Sequence, residues 1–241
     1  MTHDSEAFLE KALSAAFSPE GPEESASTAK APDVAPRRSK ERVPDAVGRF
    51  KVLGVVGRGG SGVVLRAFDD VLDREVAVKL IHERFADDPE MIRRFVGEGR
   101  TGGRLQHPGV VPVHEAGVAA DGRPFLVMKL VEGETLAERL ASRPTVGAER
   151  LAFLSVFEKI CQITAYAHAR GETHLDLKPS NVLIGSYGEV LVLDWGFGRD
   201  GDEPDRDENG RRARVVGTPS YMAPEQAKGD RPRIGPRSDV F

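Results

Sequence analysis

Residues 57–64 read Gly-Arg-Gly-Gly-Ser-Gly-Val-Val, a G-x-G-x-x-G-x-V pattern from which the fold can be inferred in both directions along the chain. A dinucleotide-binding turn carries similar glycines, but there they open a helix. Here the residues that follow, 63–68, are rich in β-branched and aromatic side chains, which favour a strand. The pattern therefore predicts a β-hairpin whose glycine-rich turn can lie over phosphate groups. An ordinary hairpin and a dinucleotide-binding turn are the alternatives at this point.

The segments around this turn change their apolar period along the chain. Those near the turn are typical of strands, whereas residues 151–168 repeat apolar side chains at helical spacing up to Gly171. Strands are predicted at 50–56, 63–68, 75–81, 110–118, 124–131, 182–184 and 190–193, and helices at 89–105 and 151–168. The sequence therefore predicts an α+β chain of two lobes, in which a small antiparallel sheet with one helix precedes a mainly helical part.

The composition excludes several classes of protein. The 241 residues carry a formal net charge of −4, which argues against general nucleic-acid binding because that requires a basic surface. A single cysteine, Cys161, rules out an internal disulfide or a zinc site with several cysteines. The sequence has neither an apolar run long enough for a membrane span nor an apolar signal core. We therefore expect a soluble, cytoplasmic chain.

Residues 1–48 differ from the remainder. They are predicted to form a largely disordered tail and linker, because from Pro19 onwards proline, alanine, serine and glutamate dominate and no apolar repeat is present. Within the tail, residues 6–17 place apolar side chains on one helical face. Such a short helix either frays in water or docks on a partner protein. The folded domain is predicted to begin at Phe50.

Several charged and polar residues interrupt the apolar segments beyond the glycine-rich turn. Lys79 ends the sequence Val-Ala-Val-Lys in a strand that is otherwise apolar. Burying an unpaired ammonium is costly, so Lys79 must meet an anion, and Glu98 on the following helix is the natural partner. Further along, residues 174–181 read His-Leu-Asp-Leu-Lys-Pro-Ser-Asn, residues 194–196 read Asp-Trp-Gly, and residues 223–225 read Ala-Pro-Glu.

In this order and at this spacing the motifs resemble those of the eukaryotic-like (Hanks-type) serine/threonine protein kinases of bacteria. The resemblance covers residues 50–241, with the small lobe at about 50–131 and the helical lobe at about 132–241. It implies a transferase that uses ATP and Mg²⁺ to phosphorylate serine and threonine hydroxyls of a protein substrate. Phosphoryl transfer depends on positioning and on charge neutralisation, which explains the need for lysines and carboxylates.

The resemblance also implies roles for individual residues. Asp176 would accept the proton of the substrate hydroxyl, and Lys178 would neutralise the γ-phosphoryl group. Lys79, paired with Glu98, would hold the α- and β-phosphates. The implied metal ligands are Asn181 and Asp194, and the implied nucleotide-binding residues are Gly57, Gly59, Gly60, Gly62, Val64, Ala77, Lys79, Met128, Leu130 and Leu183.

Two features depart from the usual kinase pattern. Leu175 stands where most members have an arginine that binds a phosphate on the activation segment, and residues 195–216 contain no Ser, Thr or Tyr. We therefore expect activity without phosphorylation in that stretch, with Thr218 lining the substrate site. Trp195 replaces a phenylalanine. Because Gly102 lies one turn after Glu98, we expect this glycine to make room for the indole ring.

The charged and terminal segments leave alternatives open. Residues 200–208 are acidic and 211–214 basic, which indicates a solvated loop or a substrate-docking segment. Residues 237–241 resemble the start of the buried helix that anchors the catalytic loop in kinases, so that roughly the last quarter to third of a typical domain would be missing. Glu225 would then lack its usual arginine partner. The alternative to an active kinase is an inert nucleotide-binding scaffold with a kinase fold. A dinucleotide oxidoreductase is disfavoured because the glycines open a strand.

Overall fold

The computed structural model describes residues 42–145, 147–196 and 217–241. Its first part consists of β1 Ala46–Val47, β2 Phe50–Arg58, β3 Gly62–Asp69, β4 Arg74–Ile81, α1 Pro89–Arg104, β5 Val113–Val118 and β6 Pro124–Lys129. The six strands form one antiparallel sheet in the order β1-β2-β3-β4-β6-β5. The glycine-rich stretch forms the turn between β2 and β3, as the sequence predicts, and the residues after it continue as a strand rather than a helix.

The second part is mainly helical. It consists of β7 Gly133–Thr135, α2 Leu136–Ser142, α3 Arg150–His168, β8 Val182–Gly185, β9 Val190–Val192 and α4 Pro224–Lys228. The three short strands form a second sheet in the order β7-β8-β9. The α+β, two-lobed architecture predicted from the sequence is therefore confirmed.

Strand β4 is central to the first sheet and is buried on both faces. Side chains alternate along a strand, so Val76, Val78 and Leu80 enter one apolar cluster with β2, β3 and β6. The opposite face of β4 is covered by α1, where Ile81 packs against Phe95. Lys79 shares this second face, which places its side chain under α1 rather than in water.

Helix α1 begins at a defined cap and lies close to the sheet. The Asp88 carboxylate accepts hydrogen bonds from the N–H groups of Glu90 and Met91 at 3.0 and 3.1 Å, and proline occupies the first helical position. A Cβ on Gly99 would overlap the side chain of Leu126 on β6. Glycine at this position therefore sets how closely α1 approaches the sheet.

Helix α3 buries one side and exposes the other. Ile163 and Ala167 join a buried cluster that includes residues of β8, β9 and the segment after β9. On the remaining surface Leu151, Leu154 and Phe157 are 82%, 53% and 62% exposed. The helix is therefore apolar on both its buried and its exposed sides.

The first strand of the sheet lies before the predicted start of the fold. Ala46 and Val47 pair with Lys51 and Phe50, and Val47 is fully buried. The prediction that folded structure begins at Phe50 is thus late by one short strand. Two residues are too few to leave a periodic signal, so the pairing is visible only in three dimensions.

Other differences concern element ends. The strand predicted at 110–118 begins at Val113, because Pro112 lacks the N–H that a strand ladder requires. The strand predicted at 124–131 ends at Lys129. Elements β7 and α2 were not predicted at all. The predicted helix at 6–17 and the charged segments at 200–208 and 211–214 lie outside the described residues.

Within the three described ranges, no helix is both long enough and apolar enough to cross a membrane.

Candidate active site

The centre of the site is a buried group of three charges. Lys79 Nζ contacts Glu98 Oε1 on α1 and lies 2.9 Å from Asp194 Oδ1 on the segment after β9. The side chains of Lys79 and Glu98 are only 8% and 14% exposed, whereas that of Asp194 is 41% exposed. The partner predicted for Lys79 is therefore present, and a second carboxylate joins it.

The charges shift the titration of all three groups. Burial is the main cause that raises the pKa of Glu98 to about 7, and the Asp194 carboxylate raises it further while Lys79 opposes the change. Burial also disfavours charge on Asp194, but the neighbouring ammonium outweighs it and lowers the pKa of Asp194. The pKa of Lys79 lies above its ordinary value because its two carboxylate partners outweigh the effect of burial. When all three are ionised the group carries one excess negative charge, which favours binding of a cation.

The second part of the site is the loop between α3 and β8. The Asp176 carboxylate accepts hydrogen bonds from Lys178 Nζ at 2.6 Å and from Thr218 Oγ1 at 2.7 Å. The N–H of Thr218 donates to the same carboxylate at 2.8 Å. Lys178 Nζ also lies 2.6 Å from Thr218 Oγ1. An aliphatic hydroxyl, a carboxylate and an ammonium thus meet at one point, while the role of Thr218 in lining a substrate site stays a prediction.

A buried carboxylate fixes the backbone of this loop. Asp239 accepts hydrogen bonds from the N–H of Leu175 at 2.6 Å, the N–H of His174 at 2.8 Å and His168 Nε2 at 2.8 Å. Its side chain is fully buried. The sequence indicated an anchoring role for the segment 237–241, and the structure identifies Asp239 as the residue that makes the contacts.

Leu175 occupies a special backbone conformation in the loop. Its φ of +59° lies in the left-handed region that non-glycine residues rarely adopt, so both of its backbone polar groups need partners to hold it. Asp239 binds its N–H, and Gln226 Nε2 donates to its carbonyl at 2.8 Å. The leucine side chain is buried. The expectation that the site works without a phosphate on residues 195–216 stays a prediction.

Two oxygen donors predicted to bind Mg²⁺ come from neighbouring segments. The N–H of Leu193 donates to the carbonyl of Asn181 at 2.8 Å, which ties the segment before Asp194 to the loop. Asn181 Nδ2 donates to the carbonyl of Asp176 at 2.9 Å. The amide oxygen of Asn181 is thus the atom left to act as a ligand. A carboxylate and an amide oxygen match the oxygen donors that Mg²⁺ prefers.

These donors do not form an all-protein cage. Within the described ranges, no group of three or more His, Cys, Asp or Glu side chains is placed to hold a metal ion. Magnesium is usually bound by one or two carboxylates together with water and substrate phosphates, so an incomplete donor set fits this ion better than zinc or calcium.

A cavity of about 410 Å³ lies between the first sheet and the second part of the chain. Seven of the ten residues predicted to bind the nucleotide line it: Gly57, Val64, Ala77, Lys79, Met128, Leu130 and Leu183. Glu98 and Asp194 also lie on its wall. The remaining three predicted residues lie outside the cavity wall: Gly59 and Gly60 are in the β2–β3 turn, and Gly62 is the first residue of β3. The structure therefore brings seven of the nucleotide-binding candidates together, whereas the three glycines 59, 60 and 62 lie outside the cavity wall.

Trp195 packs beneath the first part of the chain. The indole is buried, its Nε1 donates to the carbonyl of Val192 at 2.9 Å, and its ring meets His174 edge-on at 4.9 Å. A Cβ on Gly102 would lie 3.0 Å from the side chain of Val113, with no other neighbour within 4 Å. The nearest side chain to this glycine is therefore that of Val113, and because Gly102 and Trp195 line the same cavity, the expected exchange of volume between them stays a prediction.

Two further contacts concern residues of the quoted motifs. The glycine that allows close approach next to Trp195 is Gly196, whose φ is +109° and whose Cβ would lie 2.7 Å from Glu98 Cα. Glu225, which is expected to lack its usual arginine partner, accepts a hydrogen bond from Ser238 Oγ at 2.6 Å and is partly buried. The Ser238 hydroxyl is therefore a hydrogen-bond partner of Glu225, the residue for which the usual arginine partner is expected to be missing.

An antiparallel sheet with one helix, a cleft beneath it, and a Lys–Glu pair facing an Asp–Lys–Asn loop define the protein-kinase fold. The chain belongs to the protein kinase domain family, whose sequence profile matches residues 50–241. It is 38% identical over 208 residues to the serine/threonine-protein kinase PknD of Chlamydia pneumoniae, an alignment that covers 75% of this chain and 22% of that protein.

Other relatives and solved structures agree with this assignment. The serine/threonine-protein kinase PknA of Mycobacterium tuberculosis is 38% identical over 198 residues, which cover 80% of this chain and 44% of PknA. The crystal structure of the Mycobacterium tuberculosis PknI kinase domain superposes with a TM-score of 0.60 at 27% identity, over 80% of this chain and 70% of that one. The chain thus spans about a fifth of the length of the first curated relatives it matches.

Proposed function

We propose that this chain is a protein kinase that transfers the γ-phosphoryl group of ATP to serine or threonine hydroxyls in the presence of Mg²⁺. One observation carries the proposal. The charged group around Lys79 lies on the wall of the cavity, and the backbone hydrogen bond from Leu193, which lies on the same wall, to Asn181 joins the Asp176 loop to it.

Different residues on the cavity wall would bind different parts of the nucleotide. Val64, Ala77 and Leu183 supply an apolar slot for the adenine ring, next to Met128 and Leu130 at the edge of the first part. Lys79 supplies the cation for the α- and β-phosphates and is held in place by Glu98. The glycine-rich turn covers the phosphates from above.

The metal ligands of the site would be Asn181 and Asp194. When bound there, Mg²⁺ supplies neutralisation of the negative charge on the phosphates. The chain prepares for this in two ways: Asp194 is kept ionised by the neighbouring ammonium, and Asn181 is oriented by its hydrogen bond to the Asp176 carbonyl.

The Asp176 loop would orient the acceptor hydroxyl and receive its proton. Thr218 Oγ1 lies 2.7 Å from Asp176 Oδ1, which supports an aliphatic hydroxyl as the group that this carboxylate accepts. Lys178 lies on the same carboxylate and would neutralise charge on the phosphoryl group during transfer. We infer from this arrangement a preference for serine and threonine over tyrosine.

The test is a phosphoryl-transfer assay with γ-labelled ATP and a serine/threonine-containing protein substrate. Asp176→Asn is expected to abolish transfer while nucleotide affinity is kept, since Asp176 contacts the acceptor hydroxyl rather than the adenine slot. The exposed Asp70→Asn is the matched control and should transfer like the parent chain. Equal transfer by Asp176→Asn would refute the proposal. Nucleotide binding without transfer by any variant would favour the alternative, an inert nucleotide-binding scaffold.

The partners and setting that we propose follow from this activity. The substrate is a protein with Ser or Thr acceptors, and the net charge of −4 disfavours nucleic acid as a partner. The cytoplasm, which supplies ATP and keeps thiols such as Cys161 reduced, is the compartment that suits the reaction. A partner protein for residues 6–17 remains part of the proposal.

A further inference from the structure

The carbonyl groups at the tip of the glycine-rich turn are all engaged as hydrogen-bond acceptors. Within the turn, the N–H of Gly59 donates to the carbonyl of Gly62 at 2.9 Å. The carbonyl of Ser61 accepts from the N–H of His82 at 3.0 Å. The carbonyls of Gly59 and Gly60 also accept hydrogen bonds, in both cases from side chains.

Both side chains come from the short segment that follows β4. His82 Nε2 lies 2.9 Å from the carbonyl of Gly59, and because a carbonyl only accepts, this nitrogen carries the proton. Arg84 Nη2 donates to the carbonyl of Gly60 at 3.1 Å. The backbone N–H and the ring of His82 therefore hold two different points of the same turn.

The segment that supplies these donors is itself held in place. Residues Glu83–Phe85 form a single 3-10 turn, in which the N–H of Phe85 donates to the carbonyl of His82 at 2.9 Å. The Arg84 guanidinium lies over the Phe85 ring at 4.6 Å, and that ring packs on the buried cluster of Ile81 and Phe95. The segment that carries both donors is thus packed against the sheet and α1 through Phe85.

The placement of these donors affects how the glycine-rich turn interacts with an anionic ligand. A peptide carbonyl carries partial negative charge and repels a phosphate, whereas a peptide N–H attracts it. Donors on the carbonyl oxygens of residues 59–61 fix how the peptide groups are turned. A glycine-rich turn without such donors would sample many orientations, because glycine has little preference in φ and ψ.

We propose that His82 and Arg84 are positioning residues for the triphosphate of the nucleotide: they hold the carbonyl groups of the glycine-rich turn so that the turn receives phosphate with its N–H side. This inference rests on the proposed function, since it concerns the phosphates of the same ATP. Neither residue touches the adenine slot, and neither is among the residues that line the cavity.

The test compares affinity for ATP with affinity for adenosine, measured with Mg²⁺ present by calorimetry or by displacement of a fluorescent nucleotide. His82→Ala and Arg84→Ala each remove one hydrogen bond to a carbonyl, so each is expected to weaken ATP binding by about three- to tenfold. Adenosine binding should be unchanged, because adenosine has no phosphate. His82→Gln keeps an N–H donor near the same place and should restore most of the ATP affinity. The exposed His114→Ala is the matched control.

The outcomes separate the two proposals. Equal loss of ATP and adenosine affinity in His82→Ala would show a role in general packing and overturn the positioning role. Unchanged ATP affinity in both alanine variants would overturn it as well, while leaving the proposed kinase function intact. A parent chain that binds neither ligand would contradict the proposed function itself, and the positioning role with it. A melting temperature equal to that of the parent chain shows that a variant has folded.

Discussion

Replacement of Asp239 should destabilise the loop around Asp176, because it removes the carboxylate that binds the backbone of this loop. The Asp239 carboxylate accepts hydrogen bonds from the N–H groups of Leu175 and His174, and its side chain is fully buried. A hydrogen bond to an ionised group contributes about 1.5–3 kcal/mol, so loss of the two backbone bonds should lower the free energy of unfolding by about 3–6 kcal/mol in Asp239→Ala. The third bond, to His168, adds to this loss.

The chain carries its own probe for this measurement. Trp195 is the single tryptophan, it is buried, and its ring contacts His174 in the loop that Asp239 holds. Urea unfolding followed by tryptophan fluorescence therefore reports on the part of the molecule that the substitution affects. Phosphoryl transfer measured on the same samples should fall together with the stability of the loop.

Two further variants define the result. Asp239→Asn keeps the shape of the side chain but has one oxygen acceptor for three donors, so it should lose a large part of the same free energy. Asp87→Asn, at an exposed position, should unfold like the parent chain. A change below about 1 kcal/mol in Asp239→Ala, the size of an average substitution, would refute the reasoning that this carboxylate holds the loop.

Three other predictions follow from the site and from α1. Since the pKa of Glu98 is raised to about 7 and its ionised form is the one that pairs with Lys79, kcat/KM for ATP should fall as the pH drops through about 7. Glu98→Gln should remove that acidic limb, and its persistence in the variant would assign it to another group. Gly97→Ala should stabilise the chain by up to about 1 kcal/mol in urea unfolding, because a Cβ there meets nothing within 4 Å in the helix interior; a loss of stability would contradict this. Gly196→Ala should lower the free energy of unfolding by about 1–3 kcal/mol because of its positive φ. It should also lower activity, because the added Cβ would clash with the backbone of Glu98. Wild-type activity in this variant would show that α1 can shift without affecting the site.

The sequence predicted the elements whose signal is local. The strands around the glycine-rich turn alternate clearly, and α1 and α3 carry a helical period, so each was placed within a few residues. The elements that were missed depend on distant partners. Strand β1 exists because Ala46 and Val47 meet the start of β2, and β7 exists because Gly133 meets Gly185 far along the chain.

The same distinction holds in the site. Motif spacing brought Lys79 and Glu98 together correctly, because a strand followed by a helix leaves few ways to pair a buried ammonium. It did not predict the contact of Gly102 with Val113, since helical spacing alone cannot say which strand lies opposite. The contacts of His82 and Arg84 with the glycine-rich turn had no local signal. They arise because β3 and β4 pair in a register that brings Gly62 opposite Ile81.

The shared position of Lys79 between Glu98 and Asp194 makes the cleft a site of thermodynamic linkage. A cation that binds Asp194 weakens the 2.9 Å contact between that carboxylate and Lys79, and so frees the ammonium for an anion. An anion that binds Lys79 likewise leaves Asp194 more available to a cation. By reciprocity the two affinities must rise by the same factor, so metal and nucleotide are expected to bind as cooperative ligands of this chain even where no phosphoryl group is transferred.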